Sequence, residues 1–412
     1  MAFSVAQGKF TSRTTAGTQE INISPSFEPK IVLFYTGKQA ADGVSATAWQ
    51  QIGVATSSTV FRNIGAVEVD AQDTTDSLKW SQTNAAVSII NTSATTLFAA
   101  DLVSMDADGF TIEVIVALNP GIDIYYLALG GTDLTNVAVG NATSPTSIGD
   151  SSTTGVGFQP DALILLGSTV STGTTGTTAS ATMCVGMATS GGQGVSAVRS
   201  RDAQATSTTY SYQRTDKCFA IINTASADLL LQASYVSMDA DGYTLNWDTV
   251  QATGRYYYYI ALKGGSYDVG AITSQTGTGN FSDTSLAFTP SAGIFLSNCK
   301  GATTTVDAGW QMSLGAATST SARGVISTFS EDAQGVSDAD TVQDTTALYS
   351  NYDYNQTLEG DIDFVSWNAD GFTLNQTDAD PTGNEIIYLV MGAAGAAAVA
   401  AKLQHLTLLG VG

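Results

Sequence analysis

The sequence predicts an all-β protein: three tandem repeated antiparallel β-sandwich domains, jelly-roll-like in kind, followed by a short Ala-rich C-terminal tail. Three observations predict this. Five landmarks recur in one order at a period of about 130 residues. Residues alternate polar and apolar with a period of two after a repeated acidic loop, and no stretch inside a copy sustains a capped 3.6-residue period. Short strand-like runs are separated by Gly, Ser and Thr turns at roughly 10-residue spacing, the rhythm of a sandwich.

The first landmark is Phe-x-Pro followed by an apolar run: FEPKIVLFYTG (27–37), FQPDALILLGS (158–168) and FTPSAGIFLSN (288–298). Unbroken runs such as IVLF and ALILL suit strands covered on both faces. Next come IGVATS (52–57), VGMATS (185–190) and LGAATS (314–319), and then Asp-Ala-Gln at Asp70, Asp202 and Asp332. The acidic loop is VSMDADGF (103–110), VSMDADGY (236–243) and VSWNADGF (365–372). Each copy closes on a strand-like segment, IDIYYLALGG (122–131), YYYYIALKGG (256–265) or NEIIYLVMGA (384–393). The predicted domains are 1–132, 133–265 and 266–393, with the tail at 394–412. A period this long exceeds a solenoid unit, so each copy is expected to fold as a self-sufficient bead.

The acidic loop overlaps the start of the calcium pattern D-x-D-x-D-G, but it has two spaced acids instead of three and no Glu where a bidentate ligand belongs. A hairpin turn explains more of it. Asp106, Asp108 and Gly109, with Asp239, Asp241 and Gly242 and then Asn368, Asp370 and Gly371, read as turn residues. In that reading the first acid accepts a bond from the backbone two residues on, and the glycine supplies a left-handed conformation. Asn368 for Asp is nearly free in a turn and loses a ligand charge in a metal site. No cofactor is expected, calcium being the one ion the loop leaves open.

Tyrosines cluster at Tyr256 to Tyr259 and at Tyr349, Tyr352 and Tyr354. Alternate residues of a strand face opposite sides, so half of GRYYYYIAL must face outward or into an interface. Tyr257, Tyr259, Tyr352 and Tyr354 are the candidate glycan or interface contacts.

Thirty-seven Asp and Glu against 15 Lys and Arg give a net charge of −22 with no basic cluster, which argues against nucleic-acid binding. The run 386–401 is too short and too rich in Ala and Gly for a membrane span. His405 is the only histidine and lies in the tail, so no His-based triad or multi-His metal site fits inside a repeat. No catalytic residues are assigned. An acidic glycosidase needs only carboxylates and stays as the remote enzymatic alternative. Cys184, Cys218 and Cys299 lack any CxxC pairing and read as buried free thiols.

The order F-x-P plus apolar run, G-x-A-T-S, D-A-Q, V-S-x-[DN]-A-D-G-[FY]-T and Y-Y-x-A-L-x-G-G resembles the tandem β-sandwich virion structural proteins of tailed phages and related viruses, found among tail, fibre, spike and head-decoration components. The resemblance covers the chain up to residue 393. It implies a non-enzymatic structural protein of a virion surface, whose partners are other virion proteins, with neither nucleic acid nor membrane as a partner. The alternative is a host-attachment adhesin that binds host-surface glycans. The N-terminal MAFSVAQGKF has no apolar signal-peptide core, which fits a virion component assembled in the host cytoplasm. Three like domains in one chain suit a trimer, a single-chain pseudo-trimer or a linear fibre. Copy-specific stretches, Arg199/Arg201/Arg214 in the second copy and EDAQGVSDADTVQD in the third, are expected to be surfaces with different neighbours.

Overall fold

A computed structural model describes residues 2–168, 175–301 and 304–395. Among them are thirty-three strands and no helix, arranged in three seven-stranded and three four-stranded antiparallel sheets. In the first repeat the strands are β1 (Ser4–Thr11), β2 (Gly17–Asn22), β3 (Pro29–Thr36), β4 (Gly43–Ala46), β5 (Ala48–Ser57), β6 (Val60–Glu68), β7 (Ser77–Gln82), β8 (Val87–Ile90), β9 (Thr96–Asp106), β10 (Gly109–Val116) and β11 (Asp123–Gly130). The large sheet runs β1-β11-β3-β5-β6-β7 and the small one β2-β10-β9-β8. The other two repeats each supply eleven strands in the same order.

The seventh strand of each large sheet comes from a different repeat. Gly176–Ala179 of the second repeat pairs with β7 of the first. Asp307–Ala308 of the third pairs with Thr209–Arg214 of the second. β4 of the first pairs with Ala339–Asp344 of the third, which closes the cycle. The exchange covers three sheet edges that would otherwise present unpaired backbone groups. The expectation of self-sufficient beads is therefore corrected: no large sheet is completed by its own repeat.

This arrangement buries the large sheets on both faces and explains the continuous apolar runs. Along β3, Val32 and Phe34 point into the sandwich between the first repeat's two sheets, while Ile31, Leu33 and Tyr35 point into a core shared by all three repeats. Leu163 and Leu165 against Ala162, Ile164 and Leu166 repeat the pattern in the second copy. At the centre, Leu33, Ile164 and Ile294 meet in one layer and Ile52, Val185 and Leu314 in another, around an apolar void of about 30 Å³. Each triplet holds equivalent positions of the three repeats.

Candidate functional site

The acidic loops are hairpin turns whose polar residues are held by the strands themselves. Asp106 pairs with Gly109 across the turn. The Asp106 carboxylate accepts hydrogen bonds from the hydroxyls of Ser104 and Thr111, both at 2.7 Å. Asp239 accepts from Ser237 at 2.7 Å and from Thr244 at 2.6 Å. In the third copy Asn368 accepts from Ser366 at 3.0 Å and donates through Nδ2 to Thr373 Oγ1 at 2.9 Å. A hydroxyl can donate or accept, which is why Asn replaces Asp here without breaking the clamp. The bond expected from the backbone two residues on is thus replaced by two side-chain hydroxyls of the motif.

The motif glycine has a steric reason beside the conformational one its sequence suggests. Gly109 and Gly371 have φ of 158° and Gly242 148°, far from the left-handed helical well. Such positive φ is rare for L residues, and proximity excludes a side chain as well: a Cβ would lie 2.0 Å from Ile21 O at Gly109, 1.9 Å from Thr153 O at Gly242 and 1.9 Å from Asp283 O at Gly371. The second acid secures the turn to the loop beside it. The Asp241 carboxylate accepts the amides of Gly155 (3.0 Å) and Gly157 (2.6 Å), and the Asp108 and Asp370 carbonyls accept those of Ile23 and Leu286, both at 2.9 Å. Among the described residues no group of three or more His, Cys, Asp or Glu is placed to hold a metal ion.

The tyrosines divide. Tyr257 and Tyr259 are 4% and 8% exposed and pack inside the second sandwich, so neither offers a face to a sugar or to a partner. Tyr258, between them, points into the core shared by the repeats, which is the interface that alternation required. Tyr352 is half-buried and lies parallel to Phe329, with ring centroids 6.1 Å apart and planes 3° from parallel. Tyr354 is half-buried at the end of the third sandwich. Cys184, Cys218 and Cys299 are buried free thiols, and burial pushes the Cys184 thiol up to about 12. His405 and the tail from 396 lie outside the described residues.

The landmark with the largest structural role is Asp-Ala-Gln, whose function the sequence did not disclose. Asp202 Oδ1 accepts the Ser77 amide at 3.0 Å, Asp332 Oδ1 the Thr209 amide at 2.9 Å, and Asp70 Oδ1 the Ala339 amide at 3.1 Å. Each bond joins one repeat to the repeat with which it exchanges a strand. The alanines stand at φ of 56° (Ala71), 56° (Ala203) and 61° (Ala333), a left-handed conformation unusual for a residue with a Cβ. In return their amides reach across to Ser337 O, Thr75 O and Ser207 O at 2.8, 2.8 and 2.9 Å. The glutamine amides donate to Ser337 Oγ, Thr75 Oγ1 and Ser207 Oγ, each at 2.9 Å. The signal available in the sequence was the recurrence of Asp-Ala-Gln at the same place in all three copies.

Two positions before each landmark aspartate stand Glu68, Ser200 and Ser330, each 0% exposed. Burial pushes the Glu68 carboxyl up to about 7, opposed by the two serine hydroxyls and by the charge of Arg199. The hydroxyls lie close enough to favour the charged form, but neither Glu68 oxygen nor either serine Oγ reaches hydrogen-bond geometry. Arg199 is itself buried, so the expectation that it marks an outer surface is corrected. Its guanidinium donates to the carbonyls of Asn223 (2.9 Å), Thr208 (2.8 Å) and Ser226 (3.2 Å). The acidic stretch of the third copy likewise faces its neighbours through Asp332 and the fully buried Asp340.

No protein-family model matches the chain, and no curated protein is significantly similar to it.

Proposed function

We propose that the chain is a non-enzymatic structural protein of a tailed-virus virion surface, of decoration, spike or tail-associated type, acting through protein-protein contacts as a single-chain pseudo-trimer. The observation that carries this reading is the cyclic exchange of strands. Three repeats, each completed by another and clasped by the same Asp-Ala-Gln contacts, make a closed body with a common centre. The cycle uses every exchanged strand within one chain, so none is left to link one copy to the next, and three related outer faces suit neighbours arranged about a threefold position. Divergence among the faces lets those neighbours differ. In each sandwich the connections β1–β2 and β10–β11 cross between sheets side by side, since β1 pairs with β11 and β2 with β10, which supports a jelly-roll-like reading.

The test is the composition and reconstruction of purified particles from the virus that encodes the chain. The expected result is stoichiometric incorporation, with one chain at each threefold or quasi-threefold position. Particles that lack the chain would overturn the reading.

A further inference from the structure

The repeats serve as controls for one another, because equivalent positions show which departures belong to a single copy. At four sandwich positions the third repeat breaks with the other two. Strand pairing matches Ile89 and Ile221 with Asn351, Phe98 and Leu231 with Gly360, Val114 and Trp247 with Gln376, and Val87 and Phe219 with Tyr349. The same register sets Glu359 against Leu97 and Leu230. The first three exchanges remove apolar volume from the third sandwich, and the fourth adds a phenolic hydroxyl.

The space is partly taken by a buried network that the first repeat, with Ile122 at the position of Asn384, does not form. Asp380 Oδ2 accepts from Tyr349 (3.1 Å), Asn384 Nδ2 (2.7 Å) and Ser274 (2.8 Å), and Asp380 and Asn384 are both fully buried. Beside it opens a cleft of about 460 Å³, lined by Gln311, Asn351, Tyr354, Glu359, Thr382 and Asn384 among others. Asn351 is 3% exposed, and its Oδ1 has no hydrogen-bond partner. A buried acceptor left without a partner is costly, so its persistence in a cleft points to a donor that arrives from outside.

The chemistry of the lining selects the ligand. Neutral amides, a hydroxyl and two carboxylates, Asp353 and Glu359, suit the paired donor and acceptor of vicinal alcohols, and the Tyr354 ring suits the apolar face of a pyranose. Among the described residues Lys300 is the one cation in the lining, and its ammonium already donates to the Ala308 carbonyl, which disfavours an anion. The volume lies in the range of small-molecule sites.

We propose that this cleft binds one neutral saccharide unit, with Asn351 Oδ1 and Glu359 accepting from adjacent ring hydroxyls and Tyr354 against the ring. The first two repeats fill the equivalent end with Phe98 and Leu231, so one site per chain follows. The site is independent of the structural role proposed above and adds a recognition function to it.

The experiment is saturation-transfer NMR on the full chain with glucose, galactose, mannose and N-acetylglucosamine. At least one is expected to bind in the millimolar range. Asn351→Ile and Glu359→Leu restore the residues of the other repeats and are expected to weaken binding by at least about tenfold while leaving the melting temperature equal or higher. If Asn351→Ile does not fold, Glu359→Leu and Tyr354→Ala, which remove the acceptor and the ring, carry the same expectation. The proposal is overturned by no transfer to any of the four sugars, by binding that persists unchanged in these variants, or by a site that responds only to calcium chloride.

Discussion

Asp202 of the second repeat accepts the amide of Ser77 in the first at 3.0 Å, and Ser77 is 1% exposed. Water cannot replace that acceptor. Asp202→Ala is therefore expected to lower the unfolding free energy by about 1–3 kcal/mol, whereas Asp202→Asn, which keeps an oxygen in place, costs less. Ala203→Gly relieves the left-handed alanine beside it and should stabilise by about 1 kcal/mol. Guanidinium denaturation of the three variants checks the order.

The hairpin glycine makes a contrasting case. Gly109→Ala places a Cβ 2.0 Å from Ile21 O, so β2 must shift away from β10. A loss above about 2 kcal/mol is expected from such a backbone clash. Asn368→Asp keeps both clamp contacts, with the Thr373 hydroxyl turning from acceptor to donor, and should change stability by no more than about 0.5 kcal/mol. Equal melting temperatures for Gly109→Ala and the unaltered chain would contradict the steric account.

The buried Glu68 predicts a pH dependence with a definite sign. Its folded pKa, raised to about 7 from 4.5, means that the folded state holds a proton the unfolded state releases as pH rises from 4.5. Its contribution is fully present below pH 4.5, declines between 4.5 and 7 by as much as about 3 kcal/mol, and is level above 7. Burial moves Asp340 to about 7 and Asp101 and Asp361 to about 6, in the same direction. Glu68→Gln should flatten part of the slope, read by denaturation at pH 5 and pH 8. An unchanged slope would place the titration elsewhere.

The common core couples the repeats. Ile164→Ala enlarges the central void and is expected to cost about 2–5 kcal/mol. Because Ile164 lines one void together with side chains of all three repeats, the loss should appear as a downward shift of a single calorimetric transition. Separate transitions, only one of them shifted, would show that the repeats unfold independently.

Much of the fold was legible because the repeat reports itself through residues with strong local demands. Period-2 alternation at Phe110, Ile112 and Val114 marked β10, and the doubly buried β3 announced itself as IVLF. The exchanged strands were not legible. GVSA (43–46), GTTA (176–179) and the two residues Asp307 and Ala308 are short, made mostly of small residues and not buried, and their partners lie more than 90 residues away. Tyrosine alternation indicated that Tyr257 and Tyr258 face opposite ways, but which way was outward depended on the core shared with other repeats. The Gly109 requirement was visible as an invariant of the three copies, although its steric cause, the neighbouring carbonyl of Ile21, is set by sheet order and not by the turn.

The pairing of β4 with Ala339–Asp344 has a consequence in time as well as in space. Ala46 leaves the ribosome about 300 residues before its partner Asp340. At roughly 5–20 residues per second, that is a wait of about 15–60 s. During this interval β4, which pairs with no strand of its own repeat, has no ladder partner, and its length of four residues limits the edge it can offer to another chain. The first repeat's exchange therefore waits for the third repeat, and a truncated chain that lacks residues 339–344 would lose the partner of its earliest exchanged strand.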